Sequence, residues 1–134
     1  MREEIVIVID HMNDAPAYMR TLERWASELA CAGLLLYSDA GRRVSGVMLV
    51  MQGEAGALTA FLQRLRSEMV DVDAKGRRCK ERCSTVLCRR PAGTFKPGYR
   101  PAAALTGWRA ARYASAEEGA RELLLTRRPL PTIL

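Results

Sequence analysis

The run IVIVI at residues 5–9 fixes the first element of the fold, because successive β-branched residues favour a strand. A second apolar run, VMLVM at residues 47–51, predicts another strand over residues 44–52. Both runs are apolar throughout instead of alternating with polar residues, which is typical of strands covered on both faces. We therefore expect two central strands in a sheet whose second face is covered by the C-terminal segment or by a partner protein.

A helical pattern follows each of these strands. Asn13 or Asp14 is placed to cap the first helix, Pro16 suits its first turn, and Gly33 is a good residue to end it. Apolar residues then recur at helical spacing and define the buried face of each helix. These residues are Tyr18, Met19, Leu22, Trp25, Ala26 and Leu29 in the first helix, and Leu58, Phe61, Leu62, Leu65 and Met69 in the second.

Shorter apolar runs at residues 34–37 and 84–88 complete a βαββαβ order, which predicts an α+β, ferredoxin-like sandwich with the first and third strands central. We expect a single domain over residues 1–134. Its core spans residues 4–90, a loop rich in proline and glycine spans residues 91–107, and a strand-helix extension spans residues 108–134. Ser115 is placed to cap the helix of that extension.

Composition limits the classes of protein that this chain can represent. The longest apolar runs are five residues, far below the ~20 that cross a bilayer, and the N-terminus MREEIV is too acidic for a signal peptide. We therefore expect a soluble intracellular protein without a membrane partner, with its four cysteines reduced. The net charge of +6 comes from the second half, where residues 71–90 carry seven basic and three acidic side chains. Such asymmetry indicates an acidic partner or nucleic acid, or only a solubilising surface.

The most unusual stretch is VDVDAKGRRCKERC at residues 70–83, here named the basic hairpin. We expect Asp71 and Asp73 to accept hydrogen bonds from amides of the turn, and Gly76 to permit the chain reversal. The basic side chains would then be displayed at a fixed place, as the candidate partner-binding surface. They are Lys75, Arg77, Arg78, Lys80 and Arg82.

Catalytic and metal sites are weaker alternatives. Cys79, Cys83 and Cys88 have C-x3-C-x4-C spacing, looser than the CxxC pairs of structural zinc sites, although His11 could supply a fourth ligand. His11 is also the only base for a cysteine nucleophile, and the sequence identifies no third group to orient it. No phosphate-binding glycine loop is present. We therefore expect no enzyme activity, no metal, no cofactor and no small-molecule substrate.

RNA binding is a second hypothesis. A ferredoxin-like sheet is also the scaffold of the RNA-recognition motif, which stacks bases on aromatic residues of its two central strands. Here those strands are IVIVI and VMLVM and contain no aromatic residue, so stacking on the sheet is not expected. The basic hairpin could still hold phosphates without sequence preference.

Four segments together resemble a known domain family: IVIVIDHM, ERWASELACAGLLLY, VMLVMQGE and VDVDAKGRRCKERCSTVL. They are similar to the C-terminal domain of the RWD-domain-containing sumoylation enhancer, a family that also occurs at the C-terminus of a spliceosomal tri-snRNP protein. The likeness covers residues 4–90, and VDVDAKGRRCKE is its most specific part. The resemblance implies an extended ferredoxin-like fold.

The resemblance also implies a non-catalytic adaptor that acts in the nucleus and the cytoplasm. The enhancer binds the SUMO-conjugating enzyme and promotes SUMO transfer to targets, so these proteins are the candidate partners, while the spliceosomal relative contacts small nuclear RNA. In the enhancer a preceding RWD domain carries the contact with the conjugating enzyme, and these 134 residues contain no such domain. We expect a piece or shorter isoform of a longer protein, or a stand-alone relative, and transfer no binding residue from the RWD domain.

Overall fold

A computed structural model describes residues 2–38, 44–81, 83–91, 105 and 107–113. The elements follow the predicted βαββαβ order, with an added hairpin before the last strand of that order and the predicted extension strand after it. The elements are β1 Arg2–Met12, α1 Ala15–Glu28, β2 Ala32–Ser38, β3 Val44–Glu54, α2 Ala55–Ser67, β4 Met69–Val72, β5 Arg78–Lys80, β6 Ser84–Pro91 and β7 Trp108–Tyr113. No helix within these ranges is long and apolar enough to cross a membrane.

The main sheet has the strand order β6-β1-β3-β2-β7. Within this order β6, β1, β3 and β2 pair antiparallel with their neighbours, and β7 pairs parallel to β2 at the edge. The strands built on IVIVI and VMLVM are neighbours, with Ile7 opposite Leu49, and both lie inside the sheet. The predicted ferredoxin-like fold and its two central strands are therefore confirmed.

Both helices pack on one face of this sheet. Ile5, Ile7 and Ile9 of β1 are at most 1% exposed and point into the main core. Trp25 of α1 and Phe61 of α2 meet edge to face across it, with ring centroids 6.1 Å apart at 82°. The predicted burial of the helix faces is confirmed for Leu22, Trp25, Phe61 and Leu65.

The opposite face of the sheet holds a smaller apolar cluster centred on Val6, Leu36 and Val50. Leu105 and Ala111, which follow the core in sequence, pack against this cluster. The backbone amide of Leu105 also donates to the side-chain oxygen of Gln52 at 2.8 Å. The C-terminal segment thus supplies part of the second cover that the continuous apolar runs predicted.

The ends of α1 show one correct and one wrong prediction. Asp14 is the N-cap, and its carboxylate accepts the amide of Ala17 at 3.3 Å. The helix ends at Glu28, and the left-handed residue after it is Ala30, with φ of 56°, not Gly33. Gly33 instead lies in β2, where a Cβ atom would stand 2.5 Å from the ring of Trp108. Close packing of β7 explains this glycine.

The second helix is shorter than its pattern predicted. It ends at Ser67, and Met69 is the first residue of β4 with 53% of its surface exposed. The neighbouring Val70 is 5% exposed and joins the main core instead. The apolar pattern thus passes from helix to strand, so Met69 does not belong to the helical face.

The C-terminal extension is described only in part. The predicted strand from residue 108 is confirmed as β7. Most of the predicted loop 91–107 and the predicted helix after Ser115 lie outside the described residues. The division of the chain into core, loop and extension stays a prediction.

Candidate functional site

The basic hairpin is a second, two-stranded sheet made by β4 and β5. Asp71 lies opposite Cys79, and Val72 lies opposite Arg78. The turn closes where the amide of Asp73 donates to the carbonyl of Arg77 at 2.8 Å. Gly76 has a φ of 78° within this turn, the left-handed conformation that glycine adopts at low cost.

Asp73 organises the turn, as predicted. One carboxylate oxygen accepts the amides of Lys75 and Arg77, each at 2.9 Å. The other accepts Nε of Arg77 at 3.1 Å. One carboxylate therefore holds both the backbone of the turn and the side chain of Arg77. These bonds limit the orientations available to the basic side chains of the turn.

The role predicted for Asp71 is wrong. This residue is 7% exposed, and its carboxylate accepts the amides of Asn13 at 3.0 Å and Asp14 at 2.9 Å. The side-chain amide of Asn13 donates in return to the carbonyl of Val72 at 2.7 Å. Amides at the start of a helix lack intrahelical partners, and a buried carboxylate satisfies them here. Asp71 therefore anchors the hairpin to α1.

Glu81 anchors the other end of the hairpin. It accepts the hydroxyl of Tyr18 at 2.7 Å and the amide of Cys83 at 2.6 Å. Burial raises the pKa of the Tyr18 hydroxyl well above its ordinary value, and the bond to Glu81 raises it further. The amide of Asp10 also donates to the carbonyl of Cys83 at 3.0 Å, so the chain leaving the hairpin is fixed to β1.

The structure brings four of the five predicted surface residues together. Lys75, Arg77, Arg78 and Lys80 are exposed on the turn and on β5, while Arg82 lies outside the described residues. Arg77 is paired with Asp73, and the guanidinium of Arg78 donates to the carbonyl of Met69 at 2.7 Å. The hairpin therefore presents basic side chains from a framework that hydrogen bonds hold at both ends.

A pocket of about 440 Å³ lies between the hairpin and the end of β1. Sequence reasoning missed this pocket, because it depends on the hairpin folding back toward β1. Its lining includes His11, Asp71, Asp73, Cys79 and Cys83. The carboxylates of both aspartates accept backbone amides.

The residues considered as an alternative metal site do not all lie together. His11, Cys79 and Cys83 share the pocket, but Cys88 packs against the apolar cluster on the opposite face. Among the described residues no group of three or more potential ligands is placed to hold a metal ion. The sequence also did not indicate a group that could orient the His11 ring. In the structure this group is Asp10, whose carboxylate lies 2.9 Å from Nδ1 of the ring. Adjacent residues on a strand end gave no signal for this contact.

Comparison with solved structures shows the fold alone. The chain is similar to BlrP1 of Klebsiella pneumoniae, with a TM-score of 0.56 and 16% identity over 100% of this chain and 30% of that one. It is also similar to an acylphosphatase from Bacillus subtilis, with a TM-score of 0.50 and 14% identity over 83% of this chain and 99% of that one. Both identities are too low to transfer an activity.

Comparison with curated proteins gives the relationship by sequence. No protein-family model matches the chain. RWD domain-containing protein 3 of Xenopus tropicalis is 31% identical over 84 residues, which are 63% of this chain and 30% of that protein. The human protein is 32% identical over 79 residues, which are 59% of this chain and 28% of that protein. The chain thus spans less than a third of the length of these relatives, and over that part it is related to RWD domain-containing protein 3.

Proposed function

We propose that this chain is a non-catalytic protein-interaction domain that supports SUMO conjugation in the nucleus and the cytoplasm. Its proposed partners are the SUMO-conjugating enzyme and the targets of that enzyme. The relationship to RWD domain-containing protein 3 supports this proposal, together with the resemblance to the sumoylation enhancer. The chain spans 30% or less of the length of those relatives.

The observation that carries the proposal is the anchored basic hairpin. Asp71 fixes it to the start of α1, and Glu81 fixes its far end to Tyr18. Lys75, Arg77 and Lys80 are exposed on this framework. A surface whose backbone is already ordered loses little conformational entropy when a partner binds. Its positive charge favours an acidic partner surface and speeds the encounter with it.

The polar groups of the pocket support a role without catalysis. The carboxylates of Asp71 and Asp73 accept backbone amides, and the carboxylate of Glu81 accepts a hydroxyl and an amide. These bonds stabilise the folded hairpin. A general acid or base must instead reach a substrate proton.

RNA contact is the second candidate function, and the same exposed cations favour it. Lys75, Arg77 and Lys80 could neutralise phosphates, with an affinity that falls steeply with salt. Leu105 and Ala111 cover part of the sheet face on which an RNA-recognition motif would stack bases. Any RNA contact would therefore involve the hairpin instead of that face.

Calorimetric titration against the SUMO-conjugating enzyme tests the proposal. The variant Lys75→Glu/Arg77→Glu/Lys80→Glu reverses three of the four exposed charges and keeps Arg78, whose guanidinium donates to the carbonyl of Met69 on β4. We expect its affinity to fall by about tenfold or more, because like charges would face the partner. The matched control Arg20→Glu/Arg24→Glu/Arg66→Glu reverses three exposed charges on the helices and should bind as the wild type does.

Three results would change the proposal. Equal loss of affinity in both variants would indicate only long-range attraction. Unchanged binding in the hairpin variant would place the interface elsewhere. Binding of a short structured RNA that persists from about 50 to 200 mM salt, and is lost in the hairpin variant alone, would favour the RNA function instead.

A further inference from the structure

The four cysteines fall into two classes by position. Cys31 belongs to the main core, and Cys88 packs against the cluster on the other face of the sheet. Cys79 and Cys83 instead line the pocket beside the basic hairpin, Cys79 partly buried and Cys83 exposed. Solvent and small oxidants can therefore reach this second pair, and a reactive thiol requires such access.

Separate hydrogen bonds hold the two pocket cysteines near the same short stretch of chain. Cys79 lies opposite Asp71, and the carboxylate of Asp71 is bonded to the amide of Asn13. The carbonyl of Cys83 accepts the amide of Asp10, three residues before Asn13. Glu81, between the two cysteines in sequence, accepts the amide of Cys83 through its carboxylate. Both cysteines thus belong to the lining of one pocket.

We propose that Cys79 and Cys83 are a modification site, a dithiol that a peroxide converts reversibly to a disulfide. The exposed Cys83 thiolate attacks hydrogen peroxide, so that a sulfur–oxygen bond forms, the oxygen–oxygen bond breaks and hydroxide leaves. The Cys79 thiolate then attacks the sulfur of Cys83, which forms the disulfide and releases the oxygen as a second hydroxide. The two thiol protons convert both hydroxides to water. The thiols lose two electrons, and the peroxide gains them.

The modification would also regulate partner binding, and this regulatory role rests on the proposed function. Lys80 and Arg82 lie between the two cysteines in sequence, so the disulfide closes a small ring that contains both. A disulfide holds its two sulfurs about 2 Å apart, so we expect closure of this short ring to move Lys80 from its position on β5 opposite Met69 and to change the ordered surface that the partner meets. We expect the reduced protein to bind the SUMO-conjugating enzyme more tightly than the oxidised protein does.

Peptide mapping of the wild-type chain decides whether the site exists. The reduced protein is treated with hydrogen peroxide, its remaining thiols are alkylated after denaturation, and it is digested with trypsin without reductant. Before alkylation, we expect the intact mass of the oxidised protein to be two hydrogen atoms lower than that of the reduced protein. After digestion, we expect residues 79–80 to be linked to residues 83–89. Fragmentation must place the bond on Cys83 instead of Cys88, and dithiothreitol must reverse it. Oxygen added to Cys83 without a bridge, a bond to Cys88 or a bond between two chains would overturn the proposal.

Two variants and a binding measurement complete the test. Cys83→Ser should abolish the mass loss, while Cys88→Ser should retain it. Titration of the conjugating enzyme with reduced and oxidised protein then measures the regulatory effect, with a several-fold loss of affinity expected on oxidation. A mapped disulfide with unchanged affinity would keep the modification site and overturn its regulatory role. If the reduced protein does not bind the enzyme, the proposed function fails, and the mapping still decides whether the disulfide forms.

Discussion

The carboxylate of Asp71 on β4 accepts the backbone amide of Asn13 at 3.0 Å, across 58 positions of sequence. This bond joins the basic hairpin to the connection between β1 and α1. It also satisfies an amide that the start of the helix leaves without a partner. The orientation of the candidate docking surface therefore depends on a buried residue that is not one of its exposed basic side chains.

Replacing Asp71 with alanine should loosen the hairpin and lower the stability of the domain. The amides of Asn13 and Asp14 would lose their charged acceptor, and a hydrogen bond to a charged group contributes about 1.5–3 kcal/mol. Urea unfolding would measure this loss, and hydrogen exchange should accelerate at the amides of β5. Asp73→Ala is the matched control, since its carboxylate bonds lie in the exposed turn and their loss should lower stability less. A larger loss in the control would contradict the anchoring role.

The fold could be predicted from sequence because its signals are local and repeated. Runs of β-branched residues and helical spacing identify elements without knowledge of their neighbours, and the order βαββαβ then restricts the topology. Asp14 is an example of a local signal, because an N-cap bonds to an amide three residues ahead. The two central strands were likewise evident from their continuous apolar character.

The failed predictions for Gly33 and Asp71 depend on contacts between residues that are distant in sequence. Gly33 follows a helix and resembles a residue that ends one. Its close packing against the indole ring of Trp108 arises only because β7 pairs with β2 in the sheet. Asp71 resembles a turn residue until α1 is placed beside β4. Cys88 has a spacing compatible with Cys83, yet the two residues pack in different environments. Spacing along the chain does not specify such tertiary partners.

The contact between Gly33 and Trp108 predicts opposite effects for two glycine replacements. In Gly33→Ala the new Cβ atom would stand 2.5 Å from the indole ring and force β7 away from β2, so stability should fall by about 1–3 kcal/mol. In Gly56→Ala the new atom meets nothing within 4 Å on α2, and stability should rise by about 0.5–1 kcal/mol. Denaturant unfolding measures both changes, and tryptophan fluorescence should shift in the first variant only. Equal stabilisation in both would show that β7 does not pack on Gly33.

Tyr18 should make the domain lose stability at alkaline pH. Burial and the bond to Glu81 raise the pKa of its hydroxyl above the ordinary value of 10.0, so the folded protein keeps the hydroxyl neutral. Its contribution is fully present below about pH 10 and is lost as the pH rises further, because the unfolded chain then ionises and the folded chain does not. The slope from this residue should be about 1.4 kcal/mol per pH unit. Urea unfolding between about pH 9 and 11 should show a shallower decline for Tyr18→Phe, and parallel slopes would contradict the assignment.

The pair formed by Arg90 and Glu4 offers the sharpest test of the second sheet face. The guanidinium lies 3.0 Å from the carboxylate, and the two side chains are 15% and 4% exposed. Gln52 donates to the same carboxylate at 3.1 Å and accepts the amide of Leu105, so the pair belongs to the network that holds the C-terminal segment. Arg90→Met would remove the guanidinium from a buried ion pair, and we expect a loss of about 3–5 kcal/mol.

Two companion variants separate this effect from general loss of charge. Arg89→Met removes the neighbouring arginine, whose pair with Glu3 is more exposed, and should cost about 1 kcal/mol or less. Glu4→Gln/Arg90→Met removes both buried charges and should recover much of the stability lost in the single variant, because no isolated carboxylate remains. Chemical unfolding of the three variants supplies the comparison. If Arg89→Met and Arg90→Met lose equal stability, or if the double variant recovers none, the buried pair does not hold this face together.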